Sequence, residues 1–298
     1  MSMTEVSIRA MGDYYAPVED TPPDLRALLT AETGKPVRRI GRFIQSALIG
    51  AARCVGSETP PAETAVYMTS RRGDLEVTLE VMEPLFKHGE PPKPLSFINT
   101  VSNAACFYVA RHFGLHGRSC FLSNTHFSFE VALQLALLDI ETGQVRSALV
   151  GSVDIATGPL DVHRRRLELA EGTPVAEASH WVWLQAGADG ASTLKAVNFF
   201  ADRAALSVWL AGQAFDPRRA VFSRGQFLTA GDAATVMRET GLTRMSDASD
   251  GRAYYDSQGA GALADFVRDE TSDATVLLQV NANDSGGYAV VLLEVTRG

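Results

Sequence analysis

Several features that mark common classes of protein are missing from this sequence of 298 residues. It has 3 cysteines, Cys54, Cys106 and Cys120, and no Cys-x-x-Cys pair, so we expect buried free thiols in a reducing compartment. The histidines show no metal-ligand spacing with acidic partners, and we predict no metal site. No Gly-x-Gly-x-x-Gly or phosphate-loop pattern occurs, and we predict no cofactor.

Positive charge and long apolar runs are also scarce. The net charge is −8, and the longest run of basic residues is Arg164-Arg165-Arg166, which we interpret as a solvated helix face. Nucleic acid is therefore excluded as an expected partner, because phosphate binding needs a positive surface. No apolar run reaches membrane-spanning length, and the start of the chain lacks a signal pattern. We predict a cytoplasmic protein with no membrane partner.

Apolar residues make up 46% of the chain, enough for one large core or two fused halves. Strand and helix patterns alternate. Strands are predicted over 6–12, 64–68, 120–122, 145–153, 180–185, 193–200, 220–223, 274–280 and 288–295, and helices over 38–55, 74–86, 97–113, 127–140, 202–213, 231–240 and 259–269. Both halves run strand, helix, strand and end on an apolar strand pair, so a duplicated α/β unit is expected.

The segment 117–133 is the most informative part of the chain. A short apolar run at 120–122 is followed by Ser123, Asn124 and Thr125, residues that favour helix N-caps, and then by a helical pattern. Strand, tight turn and helix form the geometry of a nucleophile elbow. Backbone N–H groups and the positive helix end would then face the residue at the turn, which is His126.

Segments along nearly the whole chain follow one another in a familiar order. They are Gly114-Leu115-His116-Gly117, 133–143, Ala148-Leu-Val-Gly-Ser-Val-Asp154, Glu177 to Leu184, Arg224 to Asp232, Asp256-Ser-Gln-Gly-Ala260 and Asn281 to Gly287. In order and spacing they resemble the β-ketoacyl synthases of the thiolase fold. The resemblance implies an α/β protein with a duplicated α/β/α/β/α architecture and a shortened second half. The expected divisions are a first half at 1–158, a connection at 159–176 and a second half at 177–298, in one compact unit.

The catalytic residues of that family are replaced. In register, His126 stands at the position of the cysteine nucleophile, Arg224 at that of the first histidine and Asp256 at that of the second. The family uses the thiolate to carry the acyl group and the two imidazoles to decarboxylate the extender unit. We therefore expect no independent condensing activity, and we name these three positions as degenerate rather than catalytic.

His126 has three interpretations. It is a residue that fills the space of the lost thiolate, or a neutral imidazole at a helix N-terminus that polarises a thioester or carboxylate. In the third interpretation the alignment is wrong by a residue or two. Ser123, Thr125 and Ser128 lie close in sequence, but we interpret the hydroxyl groups of the turn as caps rather than nucleophiles.

In lacking the nucleophile, the chain resembles the chain-length factors, which pair with an active ketosynthase. The resemblance implies a heterodimer formed edge to edge through Ser119, Cys120, Phe121, Leu122 and Ser123, in a type II polyketide or fatty-acid pathway such as a polyene pathway. An acyl carrier protein is then an indirect partner. The residues expected to bound the acyl tunnel are Phe107, Tyr108, Phe227 and Ser285.

Two other functions stay open. The first is an acyl-thioester-processing enzyme that uses His126, either a malonyl decarboxylase or an acyltransferase or thioesterase. The second is a scaffold homodimer without an acyl tunnel. A chain-length factor should depend on its partner, whereas an enzyme should turn over an acyl-thioester alone.

Overall fold

The computed structural model describes residues 4–18, 23–187, 192–247 and 251–297. Its elements are β1 (Val6–Pro17), α1 (Leu25–Thr33), α2 (Arg42–Val55), β2 (Ala65–Thr69), α3 (Leu75–His88), α4 (Pro94–Asn99), α5 (Ala104–Phe113), β3 (Ser119–Leu122), α6 (Ser128–Glu141), β4 (Ser147–Asp154), α7 (Leu160–Arg166), β5 (Ala176–Ala186), β6 (Ser192–Phe200), α8 (Arg203–Ala211), β7 (Ala220–Arg224), α9 (Ala230–Thr240), β8 (Met245–Asp247), α10 (Gln258–Arg268), β9 (Val276–Ala282) and β10 (Tyr288–Val295). No helix in these ranges is long and apolar enough to cross a membrane.

The strands show that the fold is duplicated. They pair in the order β3-β2-β4-β5-β1-β6-β10-β9-β7-β8, so the last five strands repeat the order of the first five as a mirror image about the β1–β6 contact. In the first unit β5 pairs antiparallel with β1 and β4, and β2 pairs parallel with β3 and β4. In the second unit β10 is antiparallel to β6 and β9, and β7 is parallel to β8 and β9. The predicted duplication is confirmed.

Five layers follow from the apolar faces of the two units. Along β4, Ala148 and Val150 pack with α6 and α10 in a central cluster, whereas Leu149 and Val153 pack with α1, α2 and α5 on the opposite face. This alternation is what a strand with two buried faces requires. In the second unit α8 and α9 cover the outer face. The order of layers is therefore helix, strand, helix, strand, helix, as predicted.

Helix α2 shows how closely the outer layer packs. Nearly all of its residues are buried, and it crosses β1 at Gly12. A Cβ atom at Gly12 would lie 2.0 Å from the backbone nitrogen of Cys54. Glycine is required there because the two backbones touch.

Three details differ from the sequence predictions. The single helix predicted over 97–113 is broken into α4 and α5, because a polar run from Asn99 to Asn103 offers turn hydrogen bonds such as Thr100 Oγ1 to Phe97 O, 2.7 Å. The segments α1 and β8 were not predicted. Strand β5 pairs with β1 and β4 and so belongs to the sheet of the first unit, whereas the domain boundaries at 158 and 176 stay predictions.

The arginine triplet lies in the last turn of α7, and only part of it is solvated. Arg165 is exposed and pairs with Asp161, 2.9 Å apart. Arg164 Nε donates to the carbonyl of Thr173 at 2.8 Å, and Arg166 donates to Thr157 Oγ1 at 3.2 Å. Two of the three guanidinium groups therefore have structural partners, which corrects the interpretation of the triplet as a wholly solvated face.

Candidate active site

A small polar cavity lies where α6 and α10 begin. Its volume is about 30 Å³, and it is lined by Arg71, Thr125, His126, Phe127, Ser128, Phe129, Glu130, Ser152, Asp154, Gln226, Phe227, Asp256, Ser257, Gly259 and Asn281. The first residues of both helices line it, so the positive helix ends border the cavity, and neither helix has a side-chain N-cap hydrogen bond. A space of this size holds one water molecule, and an acyl group does not fit without movement of the lining side chains.

The elbow before α6 has its strained residue at Phe127. Phe127 has φ 60° and ψ 25°, in the left-handed region that bulky residues rarely adopt. Its ring is 8% exposed and lies 5.8 Å from the ring of Phe199. Burial of the ring offsets a backbone cost of about 1–2 kcal/mol. The turn residue with special geometry is therefore one position after His126.

The predicted hydroxyl caps are not formed at this elbow. Ser123 Oγ donates to the carbonyl of Arg71 at 3.3 Å, and Ser128 Oγ donates to the carbonyl of Asn124 at 2.6 Å. The interpretation of Ser123, Asn124 and Thr125 as N-caps is wrong in this detail, because Phe127 takes the cap position. Ser128 is also not paired with His126, since its hydroxyl hydrogen points to a backbone oxygen.

His126 lines the cavity. Its Nε2 lies 3.2 Å from Oδ2 of Asp284, which is almost fully exposed on the β9–β10 hairpin. The ring of Phe227 packs edge-on against the imidazole, with centroids 5.2 Å apart. His126 is thus held between an exposed carboxylate and an apolar ring, at the mouth of the cavity.

Of the two positions aligned with catalytic histidines, one lines the cavity. Arg224 at the end of β7 pairs with Asp247, and it is absent from the cavity wall. The residues of that loop that do line the cavity are Gln226 and Phe227. Asp256, which the resemblance aligns with the second histidine, lines the cavity.

Asp256 is bound by two consecutive arginines that follow β2. Arg71 Nη1 lies 3.0 Å from Oδ1 of Asp256, and Arg72 Nε lies 3.4 Å from Oδ2. The hydroxyl of Tyr254 donates to Oδ1 at 3.2 Å. Arg71 also lies over the ring of Phe227, 5.5 Å from its centroid. Arg71 and Asp256 of this ion cluster form part of the cavity wall.

Two further carboxyl groups are buried at the cavity. Asp154, at the end of β4, accepts hydrogen bonds from the backbone N–H of Ser257 at 2.8 Å and from its hydroxyl. Burial raises the pKa of Asp154 to about 7, and the nearby charge of Asp256 adds to the shift. Glu130, in the first turn of α6, accepts from Asn281 Nδ2 at 3.1 Å, and burial raises its pKa as well. The cavity wall therefore holds several carboxyl groups close together. Because like charges repel, the charge of Asp256 disfavours ionisation of a second carboxyl group there.

The other tunnel candidates lie away from this cavity. Phe107 is 57% exposed on α5, and its ring packs against that of Tyr108, which is half-buried in the outer core. Ser285 is exposed on the β9–β10 hairpin. Of the four candidates, only Phe227 lines the cavity.

The five interface candidates form an open edge of the sheet. Strand β3 is at the end of the strand order and pairs with β2 through Val66↔Ser119 to Thr69↔Leu122. Its other edge has no strand beside it among the described residues. Ser119 and Ser123 are exposed, and the three residues between them are half-buried.

Sequence reasoning missed Arg71, Arg72 and Glu130. Two signals were available. Glu130 is a charged residue inside the apolar pattern of α6, and two adjacent arginines lie shortly after the predicted strand at 64–68. A charge at a buried position needs a partner, so each signal indicates a site.

Comparison with known proteins agrees with this fold. Residues 37–166 match the family model of the β-ketoacyl synthase N-terminal domain. None of the curated proteins matches the chain by sequence.

Three solved structures illustrate the likeness. The ishigamide ketosynthase/chain length factor is 14% identical with a TM-score of 0.71, and the alignment covers 99% of this chain and 100% of that chain. The AntDE:AntF assembly, a type II PKS acyl-carrier protein in complex with its ketosynthase bound to the hexaketide, is 12% identical with a TM-score of 0.74 over 98% and 99% of the chains. The 3-oxoacyl-(acyl carrier protein) synthase III of Pseudomonas aeruginosa PAO1 is 17% identical with a TM-score of 0.60 over 98% and 99%.

Identities this low support the fold and not the chemistry. The chain has the thiolase-like fold of the ketosynthases, and its residues 37–166 match the N-terminal domain of the β-ketoacyl synthases.

Proposed function

We propose that this chain is a non-catalytic ketosynthase-like subunit that pairs with an active β-ketoacyl synthase in a type II polyketide or fatty-acid pathway. The observation that carries the proposal is the closed cavity at the elbow, in which no thiol is found. The proposal extends to a chain-length role, in which this subunit limits the partner's acyl tunnel and meets the acyl carrier protein only through the partner.

The thiols support a non-catalytic role. Burial raises the pKa of Cys54 and of Cys106 to about 12, so neither forms a thiolate near neutral pH. Cys120 is half-buried on β3. None of the three lines the elbow cavity. A condensing enzyme that carries its acyl group on sulfur has no nucleophile here.

An exposed apolar surface supports the proposal that a partner protein binds this chain. Seven large apolar side chains between 82 and 107 are 40–75% exposed; they are Met82, Leu85, Phe86, Phe97, Ile98, Val101 and Phe107, and we call them the α3–α5 surface. Helix α5, which carries Phe107, packs beside the open strand β3. Exposed apolar residues concentrated in one stretch are typical of an interaction surface, and an open strand edge is normally paired or covered.

The printed descriptions of two similar structures name the kinds of partner that we propose. One is described as a ketosynthase/chain length factor, and another as a ketosynthase with an acyl-carrier protein. We infer the same kind of partner for this chain from its closed cavity together with its open edge.

Co-expression tests the pairing. The chain is expressed with and without the ketosynthase encoded nearest to its gene, and the molar mass is measured after size exclusion. We expect a one-to-one complex, in which Cys120 on β3 is protected from a maleimide that labels it in the lone chain. A stable homodimer that ignores the ketosynthase, with the same Cys120 labelling in both samples, would contradict the proposal and favour a scaffold homodimer.

A single substitution tests the chain-length role. Phe107→Ala in the complex should lengthen the product, because it removes bulk beside the proposed tunnel. Met245→Ala is the matched control, since Met245 is 52% exposed on β8 at the other edge of the sheet. Unchanged product length in Phe107→Ala, with the complex intact, would contradict the chain-length role.

One contact favours a second function. The imidazole of His126 lies 3.2 Å from Asp284 at the cavity mouth, so a carboxylate positions it as a polarising group. The lone chain would then decarboxylate malonyl-thioester or hydrolyse an acyl-thioester, and His126→Ala would abolish the turnover. No turnover by the lone chain would eliminate this alternative.

A further inference from the structure

The carboxyl group of Asp256 is held in the way that proteins hold a bound carboxylate ligand. Its side chain is 8% exposed, and each of its oxygens faces a different arginine, Arg71 at 3.0 Å and Arg72 at 3.4 Å. The two arginines come from the first unit and Asp256 from the second. A pair of guanidinium groups converging on one carboxylate is the usual arrangement of a carboxylate-binding site in proteins.

The arginines are built into this position. They lie one residue after the end of β2, and their side chains are 21% and 28% exposed. The Arg71 guanidinium is also held over the Phe227 ring, 5.5 Å from its centroid. Nε of Arg72 is buried and has no hydrogen bond, so one donor of the pair is not fully used by Asp256.

Space on both sides of Asp256 is small. The elbow cavity of about 30 Å³ lies on one side, and a second cavity of about 20 Å³, which includes His163 and Thr157 in its wall, lies on the other. Both cavities have Asp154 and Asp256 in their walls. The side chain of Asp256 therefore occupies the position at which an external carboxylate would contact both arginines.

We propose that Arg71 and Arg72 form a carboxylate-binding site whose ligand is the chain's own Asp256, so that the elbow cavity is closed to carboxylate substrates by an internal ligand. The ligand class of the vacated site is a small monocarboxylate, since the aspartate group that holds it is a single carboxyl. This inference deepens the proposed non-catalytic function and rests on it for its biological meaning, whereas the site itself is tested on the lone chain.

Chemical rescue tests the site. Asp256→Ala removes one carboxyl group and leaves a space of the size of formate. The variant should lose about 4 °C or more in Tm, because it leaves two partly buried arginines unpaired. Sodium formate at tens of millimolar should restore at least half of that loss, and sodium chloride at the same ionic strength should restore much less.

Controls separate binding from a general salt effect. Formate should not raise the Tm of the wild type, whose site is filled, nor of Asp256→Asn, which keeps the space filled without the charge. The double variant Asp256→Ala, Arg71→Met should lose the rescue. If Asp256→Ala does not accumulate as folded protein, Asp256→Ser gives the same comparison.

Two outcomes overturn the proposal. One is a variant that formate stabilises no more than chloride does, and the other is rescue that persists in the double variant. An unrescued variant that still pairs with the ketosynthase removes this inference and leaves the proposed function standing. If formate rescues the variant but the wild type forms no complex with the ketosynthase, the carboxylate site stands and the proposed function falls.

Discussion

At the scale of single residues, register predicted part of the site. His126 and Asp256 were placed by alignment with catalytic positions, and both line the cavity. Arg224 does not, because it pairs with Asp247 on the neighbouring strand, while Gln226 and Phe227 follow it into the cavity. A register argument places the backbone of a loop but not the direction of each side chain.

Phe127 illustrates a limit of another kind. A left-handed φ at a phenylalanine has no local sequence signal, because glycine or asparagine is the residue that normally marks it. Its cause is tertiary, since the ring is buried against Phe199. Only the packed structure shows which residue of the turn takes the strain.

Asp154 leads to a prediction for the pH dependence of stability. Its pKa is raised from the ordinary value of 3.8 to about 7 in the folded chain. The folded chain therefore holds the proton on Asp154 more tightly than the unfolded chain does. This contribution to stability is complete below the pKa of 3.8 that Asp154 has in the unfolded chain, and it is lost as the pH rises through 7. Between pH 5 and pH 8 the loss should be on the order of 2 kcal/mol of unfolding free energy.

Comparison with Asp154→Asn isolates this contribution. Urea unfolding of the wild type and of the variant is measured at pH 5 and pH 8, and the variant should lose less stability over this range. Asp265→Asn is the control, since Asp265 is exposed on α10 and its substitution should leave the wild-type slope unchanged. Equal slopes for the wild type and Asp154→Asn would contradict the prediction.

At the scale of elements, periodicity identified the helices but not which apolar face is buried. Helix α3 buries Val77 and Val81, and it exposes Met82, Leu85 and Phe86. Both sets have helical spacing, so the sequence pattern predicts two apolar stripes and does not indicate which of them packs in the core. The fold decides between them, and the stripe that is left over belongs to the α3–α5 surface.

We expect the α3–α5 surface to drive self-association of the lone chain. Phe86 is 75% exposed, so Phe86→Ser removes apolar contact area from a partner without opening a cavity in the core. Light scattering over a concentration series should show less association for the variant, with Tm changed little.

The matched control is Val208→Ser. Val208 is 76% exposed on α8, in the second unit, and is not part of the α3–α5 surface. It should associate as the wild type does. Equal effects of the two substitutions would show that general surface hydrophobicity, rather than this surface, causes the association.

At the scale of the whole molecule, the order of elements predicted the duplication, but not where the units join. The order strand, helix, strand in both halves was visible in the sequence, and strand pairing confirms it. The place of β5 was not visible, because the strand is buried along nearly its whole length and pairs with β1, which lies far away in sequence. Pairing between distant strands is set by the assembled sheet and has no local signal.

The two units should unfold together. They share one sheet through the β1–β6 contact and one apolar cluster through α6 and α10. Polar bridges also join them at the cavity, including Asn281 to Glu130 and Ser257 to Asp154. Separating the units would expose this cluster and leave these buried groups without partners, so an intermediate with one folded unit should be poorly populated.

Tryptophan positions allow this to be measured. The chain has 3 tryptophans, Trp181 and Trp183 in β5 of the first unit and Trp209 in α8 of the second. In Trp209→Phe the fluorescence reports the first unit, whereas circular dichroism reports the helices of both. The two urea midpoints should coincide, and the wild type should give the same fluorescence midpoint as the variant. A circular dichroism transition that precedes the fluorescence transition would show that the second unit unfolds by itself, and the bridges at the cavity would then contribute little to holding the units together.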